Sequence, residues 1–549
     1  MPKGYVVDSA GELVHWRFVT TTPTGPKSGF VHGYISSLNR LTAELRHGRR
    51  PVVGDILAGL SVAMVLIPQS IAYADIAGLP PHVGLFASAF PLLIFALFAS
   101  SPYLQTGPVA VTSLLTIGVL ASQAETLSTD ELVKQAALLA VLVGAIRFLL
   151  GVFRLGVVAY LLAEPVMIGF TSGAGVVILS SQLPKAMGLS REPDGVLPNF
   201  DNPLVRTLWT LVHPDAWDIE AIVLAVITLV LMLGGRKLHR LFPGVMFAVI
   251  FGVIYSNVTD YDGGIIGDIP EGLPPFSIDL PWGDIPTLFI GAIVIALVGF
   301  AEPASIARTF AGEDGEKWSA SQEFFSSGCA NLVAGITGAY PVGGSFSRSS
   351  VNRFAGAQSK WAGGITGLVV LGFLPFAGVL EALPEAVLGA IVVGAVYSLV
   401  RPSRLLELRH RSKSQAGLTY VTFVLTLITP PRVFLAVIIG VVIAFVHHFF
   451  LKFRLDIDQP TPTSLRARPV GMLWFASNGA LEEQLSAALV DNPQATHVEI
   501  DLSDIPSIDS GVADAIGGAI ENHRDRTMVV THAPMGSETL LKGLGLSIT

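Results

Sequence analysis

Between Gly54 and Leu451 the chain is a near-continuous succession of apolar runs, broken only by short polar or Gly/Pro-containing stretches. A hydrocarbon layer about 30 Å thick takes about 20 apolar residues per helical crossing. Inside it, every backbone N–H and C=O must be satisfied within the structure. The runs predict helices near 54–75, 82–100, 108–122, 132–153, 155–182, 216–234, 241–258, 285–307, 318–338, 345–357, 361–380, 383–399, 414–428 and 431–451. That gives fourteen segments, with twelve as the alternative count; the third and tenth are too short to cross alone. Composition agrees: 51% of residues are hydrophobic and 14% charged, against about 25% charged in an ordinary soluble domain. The 56 glycines suit helices that approach closely in lipid.

The charges orient these segments. Arg46, Arg49 and Arg50 precede the first, and Arg147 and Arg154 lie at the turn after the fourth. Arg236, Lys237 and Arg240 follow the sixth, Arg401 to Lys413 the twelfth, and Lys452 and Arg454 the last. If every segment counts as a crossing, all these clusters share one side, while Glu125, Asp130, Glu131, Asp215, Asp260 and Asp262 fall on the other. The positive-inside tendency then places both termini in the cytoplasm. The first fifty residues lack a basic stretch followed by an apolar one, so they are not read as a cleaved signal peptide.

An internal duplication is also visible. Breaks at Gly107-Pro108 and Gly343-Gly344 lie roughly 240 residues apart, and Gln69 and Glu302 interrupt apolar runs at nearly the same offset. Paired interruptions of this kind point to a binding site near the membrane midplane. Seven segments per repeat fits both an inverted arrangement and the shared side of the termini.

After Arg454 the character changes. Residues 457–464 read as a Pro/Thr-rich linker. Beyond it, Met472–Ala476, His497–Leu502 and Met528–His532 read as strands, with helices over Glu482–Val490 and from the Asp509-Ser510-Gly511 turn to Ile520. Alternating strands and helices predict a small α/β domain with a largely parallel sheet. The organisation expected is an N-terminal region over 1–50, a membrane domain over 51–455 and a soluble domain over 456–549.

The residues that carry chemistry cluster at the second break. Gly343 and Gly344 leave the N–H groups of a helix start open to close approach. Ser345 and Ser347 offer hydroxyls, and Arg348 offers a guanidinium fork suited to an oxyanion. The facing element is Gln105 to Thr112, where Pro108 at a first helical position leaves the N–H groups near Val109 and Ala110 directed at the same cavity. The other reading has Arg348 snorkelling to the cytoplasmic boundary. Glu302, after an uninterrupted apolar run, is a candidate proton carrier, or else a structural carboxylate paired with Arg308. Gln69 and Tyr73 follow Pro68, which frees a backbone group locally; Gln69 either lines the site or bridges helices. Asp75 and His82 read as residues of the outer boundary, His82 facing water. The single Cys329 excludes a disulfide within the chain and a cysteine-rich metal site. A net charge of −8 gives no reason to expect nucleic acid.

Together, Pro68-Gln69, Ala72-Tyr73, Gly78-Leu79-Pro80-Pro81, Gly107-Pro108 and Ser345-Phe346-Ser347-Arg348 through Val351-Asn352 resemble the signature of the sulfate permease family. Glu302 and Arg308-Thr309-Phe310-Ala311 are similar to its proton-coupled sulfate members, and the C-terminal unit resembles a STAS domain. The resemblance implies seven-plus-seven inverted repeats, core and gate domains, an elevator-like movement and a homodimer. It places the anion between the third and tenth segments, against Gln69, Tyr73, Val109, Ala110, Ser345, Phe346, Ser347 and Arg348, with Glu302 carrying a proton. The Asp509-Ser510-Gly511 turn is one residue shorter than the phosphorylated turn of related anti-sigma-factor antagonists, which speaks against modification at Ser510.

The function expected is proton-coupled sulfate symport across the inner (plasma) membrane, with no cofactor, no metal and no enzymatic activity. A sodium-dependent bicarbonate or dicarboxylate transporter, or an anion exchanger, is the alternative within the class. A membrane-anchored scaffold, acting through a soluble partner of the STAS-like domain, is the alternative outside it.

Overall fold

The computed structural model describes residues 5–7, 13–15, 52–156, 164–189, 202–239, 241–314, 318–400, 413–450, 454–470, 478–505 and 526–533, with a few isolated positions added or left out. The chain forms two compact units, Met1–Arg50 and Pro51–Thr549. In the first, Tyr5–Val7 (β1) pairs antiparallel with Leu13–His15 (β2).

The second unit is a polytopic helical membrane fold followed by a small α/β domain. Its helices are α1 (Val53–Ile76), α2 (Pro81–Ala87), α3 (Phe90–Phe98), α4 (Ala110–Leu120), α5 (Thr129–Val152) and α6 (Glu164–Ala186). Then come α7 (Pro203–Val212), α8 (Ile219–Leu229), α9 (Gly235–Leu238), α10 (Gly244–Thr259), α11 (Ile285–Asp314) and α12 (Ala320–Ile336). The last membrane helices are α13 (Phe346–Phe354), α14 (Trp361–Phe373), α15 (Glu385–Val396), α16 (Lys413–Ile428) and α17 (Phe434–Phe450). Six segments are long and apolar enough to cross a bilayer, and six shorter apolar helices accompany them. With α12 and the polar α13, the described segments number fourteen. The second crossing is α2 and α3 end to end, and the sixth runs from α8 through a π turn at Val230–Gly234 into α9. The fifth is described from Glu164 to Ala186, later than the apolar run that predicts it.

Sequence explains the local ends. Ser128 and Glu131 cap α5 reciprocally, the Ser128 hydroxyl accepting from the Glu131 N–H and the Glu131 carboxylate from the Ser128 N–H. Asp55 at the start of α1 accepts from the Val52 N–H and also from the N–H groups of Gln358 and Ser359. One carboxylate therefore ties the first crossing to the loop after α13.

The helices sort into two groups. The first four crossings of each half pack on one another: α1 to α5 with α11 to α14. The last three of each half form the second group, α6 to α10 with α15 to α17. Between the groups, α1 packs against α10 and α15, and α4 against α6. Within the first group, glycine sets how closely α5 and α12 approach. A Cβ at Gly144 would lie 2.5 Å from the Leu332 nitrogen, and one at Gly328 2.4 Å from the Phe148 nitrogen.

The C-terminal domain corrects one expectation. Residues 457–464 are no linker: Arg454–Thr461 (β3) and Ser464–Val470 (β4) form an antiparallel hairpin. Alternation explains it, because Leu465 and Ala467 face the core while Arg466 and Arg468 face out. Pro460 falls where the ladder is irregular, so its missing N–H breaks no regular pairing. Strands β4, His497–Asp501 (β5) and Thr527–Thr531 (β6) run parallel in that order. Helix α18 (Asn478–Asp491) contributes Leu481, Leu485 and Leu489 to the core beneath them. The strand expected at Met472–Ala476 and the Ser510 turn lie outside the described residues.

Candidate functional site: two helix starts on crossed strands

Both predicted breaks are extended backbone, and they pair. The Gly343 N–H donates to the Gly107 carbonyl at 2.9 Å and the Ser345 N–H to the Gln105 carbonyl at 3.0 Å. The Thr106 hydroxyl donates to the Gly343 carbonyl, and the Gln105 N–H to the Ser349 hydroxyl. From this crossing α4 begins at Ala110 and α13 at Phe346. Glycine suits both arms: Gly107 has φ +124°, and a Cβ at Gly343 would sit 3.0 Å from Val109 Cγ2 and 3.3 Å from Thr112 Cγ2, close enough that those side chains would have to shift. The two starts are thus held together, each presenting the first-turn N–H groups that a helix leaves without intrahelical partners.

Arg348 lies one turn into α13 and is 0% exposed. Its Nη2 donates to the Thr106 carbonyl at 3.4 Å, while Nε and Nη1 have no partner among the described residues. The snorkelling alternative is therefore wrong: the guanidinium turns inward, onto the crossing. Ser345 caps α13, accepting from the Arg348 N–H, and its hydroxyl lies 3.2 Å from that of Ser347. Phe346 is half exposed, and its ring stacks on Phe310.

Glu302 comes from the middle of α11, just before Pro303, to accept from the Phe346 N–H at 3.4 Å. A carboxylate thus sits at the positive end of α13. Tyr73, Glu302 and Tyr340 are the electrostatic neighbours of Arg348. On α1, Gln69 is 1% exposed with both amide atoms unpartnered, and Tyr73 is buried one turn on. Val109 and Ala110 are buried at the start of α4. Tyr73, Arg348 and Glu302 therefore converge, with Val109 packed against the α13 lead-in.

Sequence reasoning missed several members. Tyr340 is fully buried, with its hydroxyl 3.1 Å from that of Ser113 on α4. Glu323 on α12 accepts from the N–H groups of Ser100 and Ser101, fixing the lead-in to α4 much as Asp55 fixes the exit from α13. Asn331 holds both ends of Val342, accepting from its N–H at 2.9 Å and donating to its carbonyl at 3.1 Å. Each lies in an apolar run whose polar members look isolated until the helices pack. Asp75, near the end of α1, pairs with Lys185 at 2.6 Å, linking α1 to α6. His82 does not simply face water; it is half-buried edge-on to Phe86, with Nδ1 enclosed.

Paired backbone segments, two joined helix starts and an inward-facing guanidinium are set within a polytopic membrane fold. The sulfate permease family profile matches residues 52–422, and the chain belongs to that family of anion transporters, not of enzymes. A probable sulfate transporter of Mycobacterium tuberculosis is 36% identical over 409 residues, spanning 73% of this chain and 70% of that protein. The chloroplastic sulfate transporter 4.1 of Arabidopsis thaliana is 31% identical over 403 residues, 72% of this chain and 58% of its own length. Among solved structures, murine solute carrier 26 family member A9 in the inward-facing state superposes with a TM-score of 0.82 at 20% identity, covering 96% and 92% of the two chains. The transmembrane domain of the cyanobacterial bicarbonate transporter BicA gives 0.59 at 21% identity, over 71% and 96%.

Proposed function

We propose that this protein is a proton-coupled sulfate symporter working by alternating access, with the anion held at the two helix starts. The observation that carries this reading is the Glu302 carboxylate bonded to the first N–H of α13, beside the unpaired Nε and Nη1 of Arg348. Ionised, Glu302 occupies an N–H that an anion needs and offsets the charge of Arg348. Protonated, it loses the charge that holds it there and leaves a more positive site. A dianion and a proton then bind together and leave together. Gln69, Tyr73, Ser345 and Ser347 supply hydrogen-bond donors, the N–H groups near Val109 and Ala110 the second helix start, and Phe346 a flexible apolar wall.

Two features support alternation between sides. Asp75, Lys185 and Gln182 join the two helix groups at the ends of α1 and α6. At the opposite end, Ser61, Met64, Met232, Phe242 and Val351 line a small pocket where the groups meet. With the basic clusters cytoplasmic, that pocket faces inward and both termini lie on the cytoplasmic side of the plasma membrane. Movement of the first group against the second exposes the site to each side in turn. The relatives named as sulfate transporters favour sulfate over bicarbonate or succinate. Residues 456–549, with the strand at Arg454 as their lead-in, are assigned as a STAS-like domain, suited to a homodimer contact or a soluble partner.

Uptake of labelled sulfate, bicarbonate and succinate into proteoliposomes, with and without an inward proton gradient, tests the reading. Sulfate uptake accelerated by the proton gradient is expected. Uptake indifferent to it, or restricted to bicarbonate with sodium, overturns it.

A further inference from the structure

Among the described residues of the membrane helices Arg147 is, with Arg348, fully buried, and it has a different set of partners. Its Nε donates to the Ala296 carbonyl at 3.0 Å, Nη2 to the Ile295 carbonyl at 3.0 Å, and Nη1 to the Ser327 hydroxyl at 2.9 Å and the Val342 carbonyl at 3.0 Å. All four acceptors are neutral. A buried cation is ordinarily compensated by an anion, because hydrogen bonds alone leave its charge in place. Its position matters as much. Val342 is the residue before Gly343, so Arg147 holds the carbonyl at the root of the α13 lead-in. A Cβ at Gly299 would lie 2.7 Å from Arg147 Nη2 and 2.9 Å from Thr112 Cγ2, and that same methyl group would lie 3.3 Å from a Cβ at Gly343. One layer of atoms separates this guanidinium from the crossing.

We propose that Arg147 is a specificity-determining residue of the anion site, an uncompensated buried charge that favours doubly over singly charged anions while anchoring the α13 lead-in through Val342. This rests on the proposed anion site but not on sulfate itself. At a separation of about 10 Å and an effective dielectric of about 20, a unit charge changes affinity by roughly tenfold for each charge on the guest. A dianion gains that factor twice and a monoanion once.

The test is competition in proteoliposomes containing the full chain, with sulfate and succinate as dianions and chloride and bicarbonate as monoanions. Arg147→Gln retains donors for carbonyls but removes the charge; Arg147→Lys keeps the charge. The glutamine variant is expected to raise KM for the dianions about tenfold more than for the monoanions, and the lysine variant to restore most of the preference. Equal loss for all four anions in both variants, with a normal gel-filtration profile, makes Arg147 a structural clamp and overturns the proposal. An unchanged dianion preference in Arg147→Gln overturns it as well, and so does a wild type that does not prefer dianions. A wild type that takes up succinate but not sulfate sinks the sulfate assignment alone, and the Arg147 comparison is then read on succinate.

Discussion

In the C-terminal sheet, the partly exposed Arg468 lies 3.0 Å from the buried Asp501, and the partly exposed Arg466 lies 2.8 Å from Glu499. At the crossing of 105–107 and 343–345, Arg348 is enclosed, bonded once to a carbonyl, and keeps two nitrogens unpartnered. The sheet pairs its arginines where water already screens them, which contributes little to stability. The membrane domain leaves two nitrogens of one open among packed helices, where an unmet hydrogen bond costs about 1–3 kcal/mol and more on a charged group. A charge kept open at that cost, beside two helix starts, is a seat for a guest. The paired arginines hold strands in register.

The largest effect that could break this contrast is at Arg348. Arg348→Ala is expected to lower sulfate uptake at least a hundredfold while the purified protein stays monodisperse, whereas Arg468→Ala should leave the uptake rate within about twofold. Equal effects would dissolve the distinction. Glu302→Gln comes next: acceleration by a proton gradient should vanish while sulfate exchange at equal pH persists, because the neutral amide mimics the protonated carboxyl. A normal gradient response there removes the coupling role.

Gly343→Ala tests the backbone of the crossing instead of its charge. The added methyl group meets Val109 and Thr112 at 3.0 and 3.3 Å, so the lead-ins must separate. A tenfold loss of uptake, about 1.4 kcal/mol, is expected, measured as the initial rate. The smallest effect belongs to the sheet. Burial alone would raise the Asp501 carboxyl, but bonds from Ser503 and Arg468 overcome this and hold it at about 2. A folded value below the unfolded one gives stability that is complete above about pH 4 and lost as pH falls toward 2. Discounted for the exposed partner, it amounts to about 1–2 kcal/mol. Hydrogen exchange of residues 497–501 in the full chain should show this loss in the wild type, and Asp501→Asn should remove its pH dependence.

How much of this was legible beforehand differs between backbone and side chains. The apolar runs located the helices, because lipid demands length and internal hydrogen bonding whatever the neighbours are. Gly107 and Gly343 located the breaks, since positive φ or close approach leaves few other residues. The hairpin at 454–470 was misread because Pro460 and Pro462 look like linker, and only the inward register of Leu465 and Ala467 against α18 reveals strands. Arg147 was counted among boundary charges because it lies toward the end of an apolar run, yet it sits within α5 and is 0% exposed.

By itself, then, the order of residues determined a polytopic membrane protein with two matched breaks and an arginine beside one of them, since each of those signals is local and set by the chemistry of a short segment. The tertiary structure decided that the breaks pair, that Arg348 turns inward onto Thr106, that Glu302 reaches the first N–H of α13, and that Arg147 ends on three carbonyls and a hydroxyl, with no carboxylate bonded to it among the described residues. Those outcomes depend on which helices pack together across 44 to 242 residues of chain, separations over which periodicity and propensity carry no information.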